Sequence, residues 1–451
     1  MAGYIEDRWL NKRKDPETKK RERTARWGKG ARYKVAGIPG VRDRVFTTLK
    51  DAENWKSTAS TDAGRGTFYD PRHGEMTLQE YVDQHWWPSL RKPPTTKQSM
   101  RPRIYNHILP HLGAQPLNRI GDEQIRWWVT QAEKDIDVNT LRTTWKHFSS
   151  ILQAAYKAKR IPANPFRDDE LRPPTAPTSK AKAWSLETVL AVREALPPRY
   201  RVLLDLAAGA GLRQGETFGF SPDDIDGLKL NVTRQVVKVG GRLAFAPPKG
   251  NKERTTVCPP GLAARVRAHT EEFGTVEVTL PWIDPARPNL EWEKRPTRTV
   301  RLLVTTTRLN TAGGGAVNRT TWDEKVWKPA LAKAGVIPEP VREKVQGERS
   351  VWTRFVWAMP REDGFHVLRH TFASVVLQGG ETITTLAAWL GHSDPAFTLR
   401  TYVHFMPDAG RRGLEALSAW LSPGEEPVRE LPGAWVNAET PPELPGGREA
   451  A

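Results

Sequence analysis

His366-Val367-Leu368-Arg369-His370-Thr371-Phe372-Ala373-Ser374 brings two imidazoles and a guanidinium close together in an otherwise apolar run. On a helix, His366 and Arg369 lie one turn apart on the same face and can grip one anion together. His366 and His370 also have the spacing of a zinc pair. The glutamate that a metalloprotease carries after its first histidine is Val367 here, however, and no cysteine lies nearby. No metal and no cofactor are expected.

Two further clusters flank this one. Downstream, Leu390-Gly391-His392-Ser393-Asp394-Pro395 precedes Thr401-Tyr402-Val403-His404. Gly391 ends one helix, and Asp394-Pro395 supplies an N-cap and first turn for the next, which carries Tyr402. Tyr402 is the only tyrosine after Tyr200, so any tyrosine chemistry in this region falls to it. Upstream, Ala208-Gly209-Ala210-Gly211-Leu212-Arg213-Gln214-Gly215-Glu216 breaks a helix at glycines and sets Arg213 at the bend. It lacks the Gly-Lys-Ser/Thr ending of a phosphate loop. Between the clusters, strand-like alternation runs over 228–239, turns at Gly240-Gly241 and continues over 242–246 and 254–258. Lys249 and Lys252 fall in the turn Pro248-Lys249-Gly250-Asn251-Lys252-Glu253-Arg254. With helical segments at 186–195, at 200–208 and again after about 360, residues 184–421 read as a mixed, mainly α domain with a small antiparallel sheet. The stretch 338–363 looks like an insertion just before His366.

A Pro-rich linker, 169–183, precedes this domain, and before it 76–168 reads as an all-α domain. Thr77 and Glu80 fit a capping box. Helices are expected around 97–109, 122–134 and 139–159, the last with Leu141, Trp145, Phe148, Ile151, Leu152 and Ala155 as one core stripe. Lys97, Arg101, Arg103, Arg142, Lys146, Lys157, Lys159 and Arg160 flank these helices. A polar stretch, 56–75, separates off a small basic α+β domain, 1–62, with the linker proper at 63–75. In that domain Arg32-Tyr33-Lys34-Val35 alternates like a strand, Ile38-Pro39-Gly40 turns, and Phe46, Leu49 and Ala52 recur at helical spacing from Val45 to Trp55. The stretch 12–23 reads as flexible. Residues 422–451, with six prolines and six glutamates against two arginines, read as a mobile acidic tail.

The charge bounds the function. Lys and Arg number 69 against 52 Asp and Glu, a net +17 over 451 residues. Residues 1–50 alone hold 15 Lys/Arg against 6 Asp/Glu, a surplus of nine. With 38% hydrophobic residues the chain still builds cores, so the charge points to a polyanionic partner. The single Cys258 excludes an intrachain disulfide and a cysteine zinc cluster. No apolar run approaches the ~20 residues of a membrane helix, and the first residues hold no signal-peptide core. A cytoplasmic, nucleic-acid-handling, multidomain protein is expected.

Taken in order, Arg213, His366-x-x-Arg369, Gly391-His392 and Tyr402, with their contexts Gly-Leu-Arg-x-Gly-Glu, His-x-Leu-Arg-His-Thr-Phe-Ala-Ser, Leu-Gly-His-Ser and Thr-Tyr-x-His, resemble the tyrosine recombinase (phage integrase) family. The resemblance covers 184–421 as the catalytic domain. By position and charge it extends to a core-binding domain over 76–168 and an arm-binding domain over 1–62, as in integrases of phages and integrative elements. It implies that Arg213 and Arg369 clamp a scissile phosphate, that His366 accepts or positions the Tyr402 proton, and that His392 hydrogen-bonds the phosphate. Glu216 would stand behind them holding an Arg or His in place. Lys249, with Lys252 as rival, would protonate the leaving 5′-oxygen. Tyr402 would form a 3′-phosphotyrosyl link, storing the bond energy so that religation needs neither ATP nor metal. The implied partners are double-stranded attachment sites bound by a homotetramer, a host DNA-bending protein and an excisionase. Arg32, Lys34, Arg101, Arg103, Arg142 and Lys146 are the expected DNA contacts. A replicon-dimer resolvase of the same family, a catalytically decayed DNA-binding protein and a type IB topoisomerase are the rival readings.

Overall fold

The computed structural model describes residues 3–66, 68–175, 181–306, 315–346 and 351–405, with residues 417, 420 and 421. The chain forms two compact units, Met1–Pro177 and Thr178–Ala451. Helix dominates both, and every ladder between named strands is antiparallel. Parts of two expected segments, 176–180 of the linker and 422–451 of the tail, lie outside the described residues.

The first unit opens with a sheet ordered Tyr4–Asp7, Tyr33–Ala36, Arg44–Phe46. Val35 and Ile38 bury against Ala52 and Ala59 of the helix Leu49–Gly64. That helix starts later than its spacing suggests. Val45 and Phe46 are drawn into the sheet opposite Lys34 and Tyr33, and Thr48 caps the helix by accepting from the Asp51 N–H at 3.2 Å. It also runs on to Gly64, so the first part of the polar stretch after residue 56 is helix rather than linker. The segment expected to be flexible is a hairpin, Leu10–Lys14 against Arg21–Arg23. Its turn is fixed by the Asp15 carboxylate, which accepts from the N–H groups of Glu17 at 3.0 Å and Thr18 at 2.6 Å.

Beyond it the helices Pro94–His107, Asp122–Ala132 and Val138–Lys157 enclose one core. The Thr77–Glu80 box closes in both directions, and Asp137 caps the longest helix through the N–H groups of Asn139 and Thr140. The whole stripe from Leu141 to Ala155 is buried, and Trp128 fills the centre with its indole N–H on the His107 carbonyl at 2.6 Å.

The second unit packs the helix Val367–Gln378 against Pro198–Ala210. The long alternation from residue 228 breaks in two. Lys229–Val232 pairs with Arg254–Val257, while Gln235–Val239 folds back on Arg242–Ala246 around Gly240-Gly241. Arg234 anchors the break, bonding the Gly219 carbonyl at 2.8 Å and Asp224 at 2.7 Å. The insertion contains a hairpin, Val341–Gln346 with Val351–Val356, then a short turn, Arg361–Asp363. Among the described residues no helix is long and apolar enough to cross a membrane.

Trp128→Ala removes a fully buried indole and its hydrogen bond. It is expected to cost about 3–5 kcal/mol, read as a lower urea midpoint of the full chain.

Candidate active site

The site begins where helices end. Pro198–Ala210 stops at Gly211 in the left-handed conformation (φ 68°), where a Cβ would come 2.7 Å from the Phe372 ring. Only glycine satisfies both demands. The turn delivers Arg213 to the start of the short helix Gln214–Phe218, and Glu216 folds back on it. The Glu216 carboxylate accepts the Arg213 N–H at 2.8 Å and its Nη1 at 3.0 Å. Arg254, at the start of its strand, donates to both Glu216 oxygens at 2.9 and 2.6 Å, and its Nε reaches the Trp389 carbonyl at 2.8 Å. Burial alone would raise the Glu216 pKa. The Arg254 fork, Arg213 and the backbone N–H outweigh it and hold the group at about 2.

The helix Ile383–Leu390 ends the same way at Gly391 (φ 65°), where a Cβ would meet Arg254 Cδ at 2.7 Å. The freed Leu390 carbonyl accepts from Arg213 Nη2 at 3.3 Å and from Arg369 Nη2. Arg369 Nη1 donates to the Gly211 carbonyl at 2.6 Å. Two glycine-capped helix C-termini thus aim their negative ends at one guanidinium that is only 1% exposed. Burial, with Arg213 and Arg254 nearby, pulls the Arg369 pKa well down, while Glu216 opposes the fall.

Three histidines surround this guanidinium. His366 sits exposed at the N-cap of Val367–Gln378. Desolvation against the protein, with His370, Arg369, Arg213 and Lys249 adding their charge, brings it to about 3. His370 faces the Tyr402 hydroxyl from Nδ1 at 2.8 Å and packs edge-on to His366. Burial, then Arg369 and His404, bring it to about 4. His392 Nε2 lies 3.3 Å from Arg369 Nη2, and Nδ1 lies 2.8 Å from Thr398 Oγ1. A guanidinium only donates, so Nε2 carries the lone pair and Nδ1–H points to Thr398. Burial and the arginines bring His392 to about 4.

Tyr402 ends the helix Pro395–Tyr402, which Asp394 caps by accepting from the Ala396 N–H. The ring packs with Phe372, Leu386 and Leu390 and is 1% exposed. Burial raises its pKa to about 12 against the pull of Arg369 and Arg213.

The structure therefore brings Arg213, Glu216, His366, Arg369, His392 and Tyr402 together. Lys249 is exposed in a turn closed by the Asn251 N–H on the Pro248 carbonyl at 2.9 Å, and its charge is felt at His366. The turn is not a hairpin tip, because the strands on either side of it pair with different partners. Two residues were missed. His370, inside the quoted motif, holds the tyrosine hydroxyl in the place expected for His366. Arg254 has no motif of its own and is visible only through its fork on Glu216.

The expected DNA contacts divide. Arg32 is forked onto Asp7 at 2.8–3.2 Å and Lys34 pairs with Asp43 at 2.7 Å, so both are engaged within the protein. Exposed Arg13, Lys14, Arg21 and Arg23 on the neighbouring hairpin add outward charge, and Lys12 beside them lies 3.5 Å from Glu6. Arg103 turns back to the Ser99 carbonyl at 2.7 Å, and Arg101 lies over the Tyr105 ring at 4.3 Å. Arg142 and Lys146 are exposed.

No family model matches the chain. It is 27% identical over 286 residues to a tyrosine recombinase XerC-like protein of Caldanaerobacter subterraneus subsp. tengcongensis, covering 60% of this chain and 62% of that relative. It is 28% identical over 237 residues to the tyrosine recombinase XerA of Thermococcus kodakarensis, covering 51% of this chain and 62% of the relative. The matched segments thus span a little under two thirds of these curated relatives. The fold is similar to that of the Tn1549 transposon integrase (residues 82–397) in complex with a circular intermediate DNA, with a TM-score of 0.56 at 17% identity over 76% of this chain and 99% of that one. The chain is thus similar in sequence to tyrosine recombinases and in fold to a transposon integrase.

Two outcomes follow. Glu216→Gln leaves three clustered guanidiniums without their buried counter-charge and is expected to cost about 3–5 kcal/mol, read by urea unfolding. The histidines have folded-state pKa values below that of the unfolded chain, so the unfolded chain takes up protons first as pH falls. Stability is complete above about pH 6.5 and is expected to drop between there and about 4. His370→Asn should flatten that stretch of the curve of melting temperature against pH.

Proposed function

We propose that the chain is a site-specific DNA recombinase, an integrase that inserts or excises a mobile element through a 3′-phosphotyrosyl intermediate. The observation that carries this reading is the Tyr402 hydroxyl on His370 at 2.8 Å, in a pocket where Arg213, Arg369 and His392 converge. Arg213 and Arg369 would take the non-bridging oxygens of one phosphodiester, exchanging the Leu390 and Gly211 carbonyls for a full negative charge. Preorganised donors of this kind count most in the transition state, when the phosphorane gains charge.

The proton balance sets the order of events. Burial holds the Tyr402 hydroxyl above its ordinary range and the His370 imidazole below its own, so proton transfer between them is uphill in the resting site. In this reading the Tyr402 proton moves as the oxygen bonds to phosphorus. His370 directs the hydroxyl and is the nearest acceptor. An anion in the site would raise the histidine pKa values and let His392 protonate and donate to the phosphate. The 5′-oxygen leaves with a proton from Lys249, and a partner 5′-hydroxyl later reverses the steps.

In this reading the exposed basic hairpin near the N-terminus grips arm-type sites and Arg142 and Lys146 face the core site. A homotetramer recombines two double-stranded attachment sites on the chromosome, aided by a host DNA-bending protein and an excisionase. The basic domain at residues 1–62 favours an integrase over a replicon-dimer resolvase, which manages without an arm domain.

The test is trapping on duplexes taken from DNA flanking the gene and nicked near the crossover. A denaturant-resistant adduct is expected with the native chain and none with Tyr402→Phe, which should still shift the duplex in a gel. Arg369→Lys should slow adduct formation by about 10²–10³ with little change in binding. His370→Ala should slow it and alter its pH profile, whereas unchanged kinetics would remove His370 from the reaction. Binding without any adduct would favour the decayed, binding-only rival.

A further inference from the structure

The hairpin Val341–Gln346/Val351–Val356 has no role in the chemistry described above, yet among the described residues it is the most exposed pair of strands in its unit. Its register runs from Val341 opposite Val356 to Gln346 opposite Val351. Directly opposed residues share a face, so the ribbon's two faces can be read separately. One face serves the ribbon itself. Val341 lies beside Val356 and Val345 beside Trp352, and Glu343 pairs with Arg354 at 2.9 Å. Val345 and Val356 are half-buried on this side. The other face carries Arg342 beside Phe355, with the guanidinium 5.7 Å from the ring centroid, then Lys344 beside Thr353, then Gln346. All five side chains are exposed, and no carboxylate stands among them.

A two-stranded ribbon is marginal in water without something to lean on. This one places its only described acid on the face that pairs internally and keeps two cations outward, at alternate positions of one strand, neither with an ion pair among the described residues. A two-stranded ribbon also has the width that the major groove of duplex DNA admits. We infer that the Arg342–Lys344–Phe355 face of this hairpin is a duplex-DNA contact, with Arg342 and Lys344 on backbone phosphates. The inference rests on the DNA reading proposed above and adds to it a contact outside the catalytic cluster. The chain returns to His366 shortly after the ribbon, so the contact and the site lie on one continuous stretch of sequence.

The experiment uses the full chain and a random-sequence 40-base-pair duplex, with fluorescence anisotropy across a sodium chloride series. Arg342→Ala with Lys344→Ala should lower the slope of log affinity against log salt by about 1.8, and weaken binding on the order of tenfold near physiological salt. Glu343→Gln with Arg354→Gln, on the opposite face, should bind as the native chain does. Equal slopes for the native chain and the Arg342/Lys344 variant would overturn the inference. So would a control variant that loses as much as the Arg342/Lys344 variant. Loss confined to cooperative loading of a second protein copy would also overturn it, assigning the ribbon to subunit contact. A native chain that binds no duplex even at 50 mM salt would instead bring down the DNA reading, and this contact with it.

Discussion

The buried carboxylate of Glu216 is the interaction on which the rest of the site depends. It is 2% exposed and takes four hydrogen bonds, two from the Arg254 fork and two from Arg213. An isolated charge there would be intolerable, and so would the guanidiniums without it. The carboxylate ties the bend after Gly211 to the strand bearing Arg254, and Arg254 in turn touches the end of the helix before His392. Three parts of the chain far apart in sequence therefore meet at one charge.

The same cluster is unbalanced. Arg213, Arg254 and Arg369 face one carboxylate, and the three histidines beside them are held below their ordinary pKa, half-buried His370 and His392 by desolvation and Arg369, exposed His366 by its contact with the protein and the neighbouring cations. Helix C-terminal carbonyls make up part of the deficit with partial charge, which is why Gly211 and Gly391 matter beyond their turns. What the cluster lacks is one full negative charge held by several donors, which the phosphodiester of the proposed reaction would supply.

Much of this was legible in the sequence because local rules govern it. The glycine breaks, the Asp394-Pro395 start, the Thr77–Glu80 box and the stripe from Leu141 to Ala155 are each decided by neighbours within a turn or two of helix. So was the set of side chains that converge, through their motifs. What escaped was decided at long range. Val45 and Phe46 have helical spacing, but a strand partner at Tyr33–Ala36 captures them. The alternation from residue 228 carries no mark of its break, which an Arg234 contact to Gly219 and Asp224 imposes. Arg254 reads as one more cation in a basic turn until its partner is seen. In the sequence the resemblance gives the Tyr402 proton to His366, and only the direction from which Tyr402 arrives brings out His370. Arg32 and Lys34 looked free because Asp7 and Asp43 are distant in sequence.

Tyr402 is 1% exposed, and a side chain so enclosed cannot touch a phosphate brought from outside until its helix shifts. Uncovering a buried aromatic costs about 1.5–3 kcal/mol. In the proposed reaction the nucleophile is thus kept under a safety catch: the resting fold keeps stray duplexes and water from the hydroxyl until a correctly seated partner supplies the energy of release.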